Sequence, residues 1–77
     1  MHNLYNIFID NPKIKGIIDS EQFPYSEKIM EIRLNLDLSP YKIANFLGIT
    51  AEQYIDYEYC DLSITVDKYK EVMTNIS

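Results

Sequence analysis

Residues 39–61 read SPYKIANFLGITAEQYIDYEYCD, and the fold turns on whether this stretch is two helices or one. Ser39 is a favoured N-cap type, Pro40 suits a first helical position, and Ile43, Ala44 and Leu47 recur at i, i+1 and i+4 before Gly48. That pattern predicts a short helix ended by glycine. Thr50, with Gln53 three residues later, has the form of a capping box, so a second helix is expected after a turn of about three residues. Its apolar positions are Tyr54 and Tyr57, with Ile55 on another side. Yet the segment 49–61 carries Glu52, Asp56, Glu58 and Asp61 and not one Lys or Arg.

Working outward, Pro24 and Ser26 precede EKIMEIRLNLDL, in which Ile29, Ile32 and Leu36 form one apolar stripe at helical spacing. Met30 and Leu34 make a second stripe, which must be covered by the N-terminal segment or offered to a partner. Downstream, Thr65 is a cap for an amphipathic helix bearing Val66, Tyr69, Val72, Met73 and Ile76. Near the N-terminus, Asn11-Pro12 looks like a cap and first-turn proline for KIKGII, although Gly16 weakens that helix. NLYNIFID fits a strand or a helical turn. The expectation is an all-α fold, a small helical bundle in which residues 1–24 form an N-terminal extension packed on a domain of residues 25–77.

Composition narrows the function. At 77 residues, 47% hydrophobic and 25% charged, the chain has the make-up of one small globular domain. No run is long and apolar enough for a membrane span, and no signal-peptide pattern is present, so a cytoplasmic location is expected. A single cysteine, Cys60, leaves no internal disulfide, and the single histidine, His2, lies near a terminus; neither has neighbours suited to thiol or metal chemistry. With no Gly-rich loop, paired-ligand spacing or nucleophile motif, no catalytic residue, metal or cofactor is expected, and the chain reads as a non-enzyme. The net charge of −5 argues against strong nucleic-acid binding, where phosphate neutralisation supplies most of the affinity.

From residue 28 to about residue 73 the chain resembles the Cro and lambda-repressor (XRE-like) family of helix-turn-helix proteins. KIMEIRLNLDLS, IANFLGIT and YIDYE carry the likeness. The resemblance implies that Ile29 and Ile32 pack on the helix-turn-helix, whose core positions are Ile43, Ala44, Leu47, Gly48, Ile49 and Tyr54. It also implies an internal salt bridge between Arg33 and Glu58. Two departures bear on function. Relatives commonly carry a phosphate-holding Gln just after the second helix's cap, where this chain has Pro40, which has no N–H to donate. The readout positions become Ala51, Glu52, Ile55 and Asp56, and between Lys42 and Lys68 there is no basic residue while Glu52, Asp56, Glu58, Asp61 and Asp67 all intervene.

Three functions compete. One is a DNA-binding repressor acting as a homodimer, with Lys13, Lys15, Lys28 and Lys42 meeting phosphate. The second is an antitoxin-like or phage and mobile-element regulator that binds a toxin. The third is an acidic inhibitor that docks on a basic nucleic-acid-binding enzyme through Glu52 and Asp56 with tyrosines close by. The favoured expectation is a regulator acting mainly by binding another protein, with weak or conditional DNA binding. Its partner- or DNA-facing candidates are Pro40, Tyr41, Ala51, Glu52, Ile55, Asp56 and Tyr59, and its structural pair is Arg33 and Glu58.

Overall fold

A computed structural model describes residues 12–77, and within them every regular element is a helix. The elements are α1 (Pro12–Ile18), α2 (Phe23–Asn35), α3 (Pro40–Leu47), α4 (Ala51–Glu58) and α5 (Val66–Ile76). His2 and the stretch NLYNIFID lie outside the described residues. Among the described residues no helix is long and apolar enough to cross a membrane.

Three of the helix starts are set by hydroxyl caps. Ser39 Oγ accepts from the Lys42 amide at 3.2 Å, and Thr65 Oγ1 accepts from that of Lys68 at 3.4 Å. At α4 the box closes in both directions: Thr50 Oγ1 accepts from the Gln53 amide at 3.1 Å, while Gln53 Oε1 accepts from the Thr50 amide at 3.0 Å. Each cap supplies a partner to an amide that the helix itself leaves unpaired, worth about 1 kcal/mol.

The helix α2 departs from its expected shape at both ends. It begins at Phe23, so Pro24 falls in its first turn and Ser26 lies inside the helix instead of preceding it. Its last residue is Asn35, and Leu36 is a C-cap side chain that stands 54% exposed outside the apolar stripe. The cause is Asp37, which adopts the left-handed conformation at φ 56° and turns the chain away. The amide of Leu38 then bonds back to the Arg33 carbonyl at 3.2 Å and that of Asp37 to Leu34 at 3.1 Å, the paired bonds of a Schellman stop. The same pair ends α3 at Gly48 (φ 73°) and α4 at Cys60 (φ 58°).

The core lies where α2 and α5 meet and where α3 and α4 close against both. Ile29, Ile43, Ala44, Tyr54, Tyr69, Val72 and Ile76 form its buried cluster, with Ile32, Leu38, Leu47, Ile49, Ala51 and Tyr57 partly buried around it. Tyr57 and Tyr69 meet edge to face, with ring centroids 5.0 Å apart at 78°. Tyr69 then donates its hydroxyl to the Asp61 carbonyl at 2.8 Å, which holds the α4–α5 loop.

One polar assembly fixes α4 against α2. Arg33 grips Glu58 with two hydrogen bonds, from Nε to Oε2 and from Nη2 to Oε1, the latter 3.0 Å long. A third guanidinium donor, Nη1, reaches the Leu38 carbonyl at 3.0 Å. The two side chains are only 14% and 11% exposed. Burial opposes ionisation of Glu58, but the hydrogen bonds and charge of Arg33 outweigh it and hold the carboxyl below its ordinary value. The Tyr54 hydroxyl is buried beside the pair and makes no hydrogen bond of normal geometry.

Two stability measurements follow from this geometry. Glu58→Gln leaves a largely buried guanidinium without its carboxylate and should cost about 3 kcal/mol in urea unfolding. Because the folded carboxyl titrates below 4.5, its stabilisation is complete above that value and is lost as pH falls through the folded one. The gap between wild type and Glu58→Gln should therefore narrow below that pH, and a gap constant down to strongly acid solution would show that the pair does not stabilise as described. At the exposed left-handed Asp37, Gly should raise stability and Ala should lower it, each by about 0.5 kcal/mol.

Candidate interaction surfaces

The helix α4 presents its polar face because its apolar one is held on three sides. Tyr54 is fully buried, Tyr57 is half-buried against Tyr69, and Ala51 packs on the core. At the far end, the Ser26 hydroxyl donates to the Tyr57 carbonyl at 2.6 Å, which also accepts from the Cys60 amide, and lies 3.1 Å from the Glu58 carbonyl. With these anchors set, Glu52 and Asp56, four residues apart on the helix, are both exposed, and so is Gln53 between them. Ile55 is half-buried at the edge of this face.

The remaining candidates are dispersed. Tyr59, the C-cap of α4, is 78% exposed, while Pro40 is half-buried in the first turn of α3 and Tyr41 beside it is exposed. Ala51, expected among the outward readout positions, is covered by its packing on the core, so Ile55 is the apolar group that adjoins the two acids. Met30 and Leu34 are exposed on α2, where Lys28 and Glu31 form a solvent-facing ion pair at 3.5 Å. Of the lysines with described side chains, Lys15, Lys28, Lys42, Lys68 and Lys70 are all exposed, and none lies on α4.

A groove of about 330 Å³ runs beside the acidic face, lined by Ile49, Gln53, Asp56, Tyr57, Asp61, Ser63 and Ile64. Asp61 accepts both the amide and the hydroxyl of Ser63, at 2.9 and 2.7 Å, and these bonds hold its carboxyl below the ordinary value. Asp61 therefore stays anionic at neutral pH, and the acidic side chain of Asp56 lines the same groove, so this side of the molecule is negative. It has the electrostatics to attract cationic protein surface and to repel phosphate.

Cys60 is only 4% exposed, and burial pushes its thiol above the usual range. Its sulfur lies 3.8 Å from the Ser20 hydroxyl, and this makes it a packing residue at the left-handed stop, unsuited to nucleophilic chemistry.

Sequence reasoning missed a second surface. Leu36, Leu38, Ile43, Phe46 and Ile76 line an apolar cavity of about 120 Å³, with Phe46 71% exposed at its lip. The signal was present in α3: Phe46 lies off the Ile43–Ala44–Leu47 stripe, so an amphipathic helix had to leave it outside. Leu36 carried no such signal, because its exposure depends on the turn at Asp37.

Comparison of the chain with protein-family models, with curated proteins and with solved structures finds no match.

Proposed function

We propose that this chain is a small helix-turn-helix regulator of the Cro and lambda-repressor type, antitoxin-like or from a phage or mobile element, and that it acts mainly by binding another protein. Support for the fold comes from two eight-residue helices joined by Gly48, Ile49 and Thr50, with a left-handed glycine and a complete capping box at the turn. The single observation behind the protein-binding reading is the exposed face of α4, where Glu52 and Asp56 stand free of any basic neighbour on the same helix.

Placed toward a DNA groove, such a face brings carboxylates to phosphates. A carboxylate can accept from the cytosine amino group, so readout in principle survives. The sequence-independent attraction that supplies most of the affinity does not. The same face, turned to a basic protein, steers encounter and offers Ile55 and Tyr59 as contact area. Such a partner is a toxin or a basic nucleic-acid-binding enzyme.

At physiological salt the protein should bind random duplex no tighter than about 10⁻⁴ M, the weak end of the non-specific range. A salt-titrated shift assay that finds micromolar affinity and a slope of several phosphates would make the chain a DNA-binding repressor instead. Replacing Glu52 and Asp56 together by Lys should change folding stability by no more than about 0.5 kcal/mol, strengthen random-duplex binding and slow association with the native protein partner at low salt. An unchanged association rate with the partner recovered from the host would reduce the two acids to a solvated face.

A further inference from the structure

The groove beside the acidic face of α4 has fixed walls and unused acceptors. Asp61 is held through its backbone: its amide donates to the Asp56 carbonyl at 3.0 Å across the left-handed stop at Cys60, and its carbonyl accepts from the Tyr69 hydroxyl at 2.8 Å and the Ile64 amide at 3.3 Å. Ile64 is pinned in turn through its own carbonyl, which accepts from Gln22 Nε2 at 3.2 Å. Asp61 takes both bonds from Ser63 on one oxygen, Oδ1. Its Oδ2 and the whole Asp56 carboxylate make no hydrogen bond or ion pair among the described residues. Gln53 uses its carbonyl oxygen on the Thr50 amide, which leaves its NH2 group without a partner among the same residues. The rest of the lining is apolar, from Ile49, Ile64 and the Tyr57 ring, all half-buried.

We propose that this groove receives one arginine side chain of the protein partner, with its stem on Ile49 and Ile64 and its guanidinium between Asp56 and Asp61. The proposal rests on the protein-binding reading and adds the residue that is recognised. Charge complementarity selects a cation, because the two carboxylates repel phosphate and acidic peptide alike. The unused acceptors select guanidinium over ammonium. They belong to two residues five apart in the chain, and a planar fork of five donors can meet both at once, whereas lysine brings a compact point charge. The apolar lining acts in the same direction, since a guanidinium is more weakly hydrated than an ammonium and gives up its water more readily beside Tyr57 and the two isoleucines. The NH2 group of Gln53 offers a donor to a main-chain carbonyl next to the arginine, which a free polyamine has no group to accept. Because the backbone bonds set the groove before anything enters it, little freedom is lost on filling it.

The test is an amide chemical-shift titration of the full chain, at low salt, with two blocked tripeptides, acetyl-Gly-Arg-Gly-amide and acetyl-Gly-Lys-Gly-amide. The arginine peptide should move the amides of Gln53, Asp61 and Ser63, with a Kd of about 10⁻³ M, and should bind about threefold tighter than the lysine peptide. Asp56→Asn, and Asp61→Asn, which keeps an oxygen for Ser63, should each weaken the arginine peptide about fivefold with the helical circular dichroism unchanged. Glu31→Gln, which removes the same unit of charge from the exposed side of α2, should not weaken it. An arginine peptide that moves no groove amide overturns the proposal. So does equal affinity for the lysine peptide, or an equal loss with Glu31→Gln, since either reduces the groove to the general attraction of a −5 chain. The random-duplex assay tests the protein-binding reading without the peptides, so failure of the groove and failure of that reading are separate results.

Discussion

Glu58 occupies the one place on α4 where a carboxylate is least welcome. It is the last residue of the helix, where the macrodipole is negative, and it is mostly buried. Arg33 resolves both costs with a planar, two-pronged grip that a point-charge lysine could not reproduce. Its third donor reaches the carbonyl of Leu38, directly before the Ser39 cap of α3. One guanidinium thereby links the end of α2, the end of α4 and the approach to α3. Ser26 completes the arrangement by bonding to the neighbouring carbonyls of α4. An eight-residue helix is too short to persist alone, so the direction in which α4 points its acids is inherited from these contacts.

How far the fold could be read from the sequence follows from the range of the forces involved. The caps at Ser39, Thr50 and Thr65 are three-residue patterns with a local cause, and the structure has them where the spacing puts them. The stops divide differently. All three use a left-handed residue, but only Gly48 announces it; Asp37 and Cys60 take up the same conformation without being glycine. The helical spacing of Ile29, Ile32 and Leu36 therefore carries the expected apolar stripe one residue past Asn35, where α2 ends, and Leu36 stands exposed. Ser26 shows the same limit from the other side. As a serine within a helix it has no local signature, and its partners are 31 and 32 residues away.

The candidate surfaces were legible in charge and less so in shape. Glu52 and Asp56 stand out in any reading because no basic residue interrupts the span from Lys42 to Lys68. What spacing could not supply is that Ala51 turns inward, or that the loop after α4 brings Asp61 beside Asp56 in one groove. The apolar cavity was hidden for the same reason, since its walls come from three separate parts of the chain.

These features divide the molecule into a scaffold and two unlike surfaces. The scaffold is made by buried tyrosines, aliphatic side chains and a single shielded ion pair, none of which involves Glu52, Asp56 or Phe46. The surfaces can therefore change without altering the fold, because the residues that hold the helices together lie elsewhere. Their chemistries are also complementary in purpose. A strongly acidic face favours fast, salt-sensitive encounter with a cationic protein, while a neutral apolar cavity favours contact that salt does not weaken.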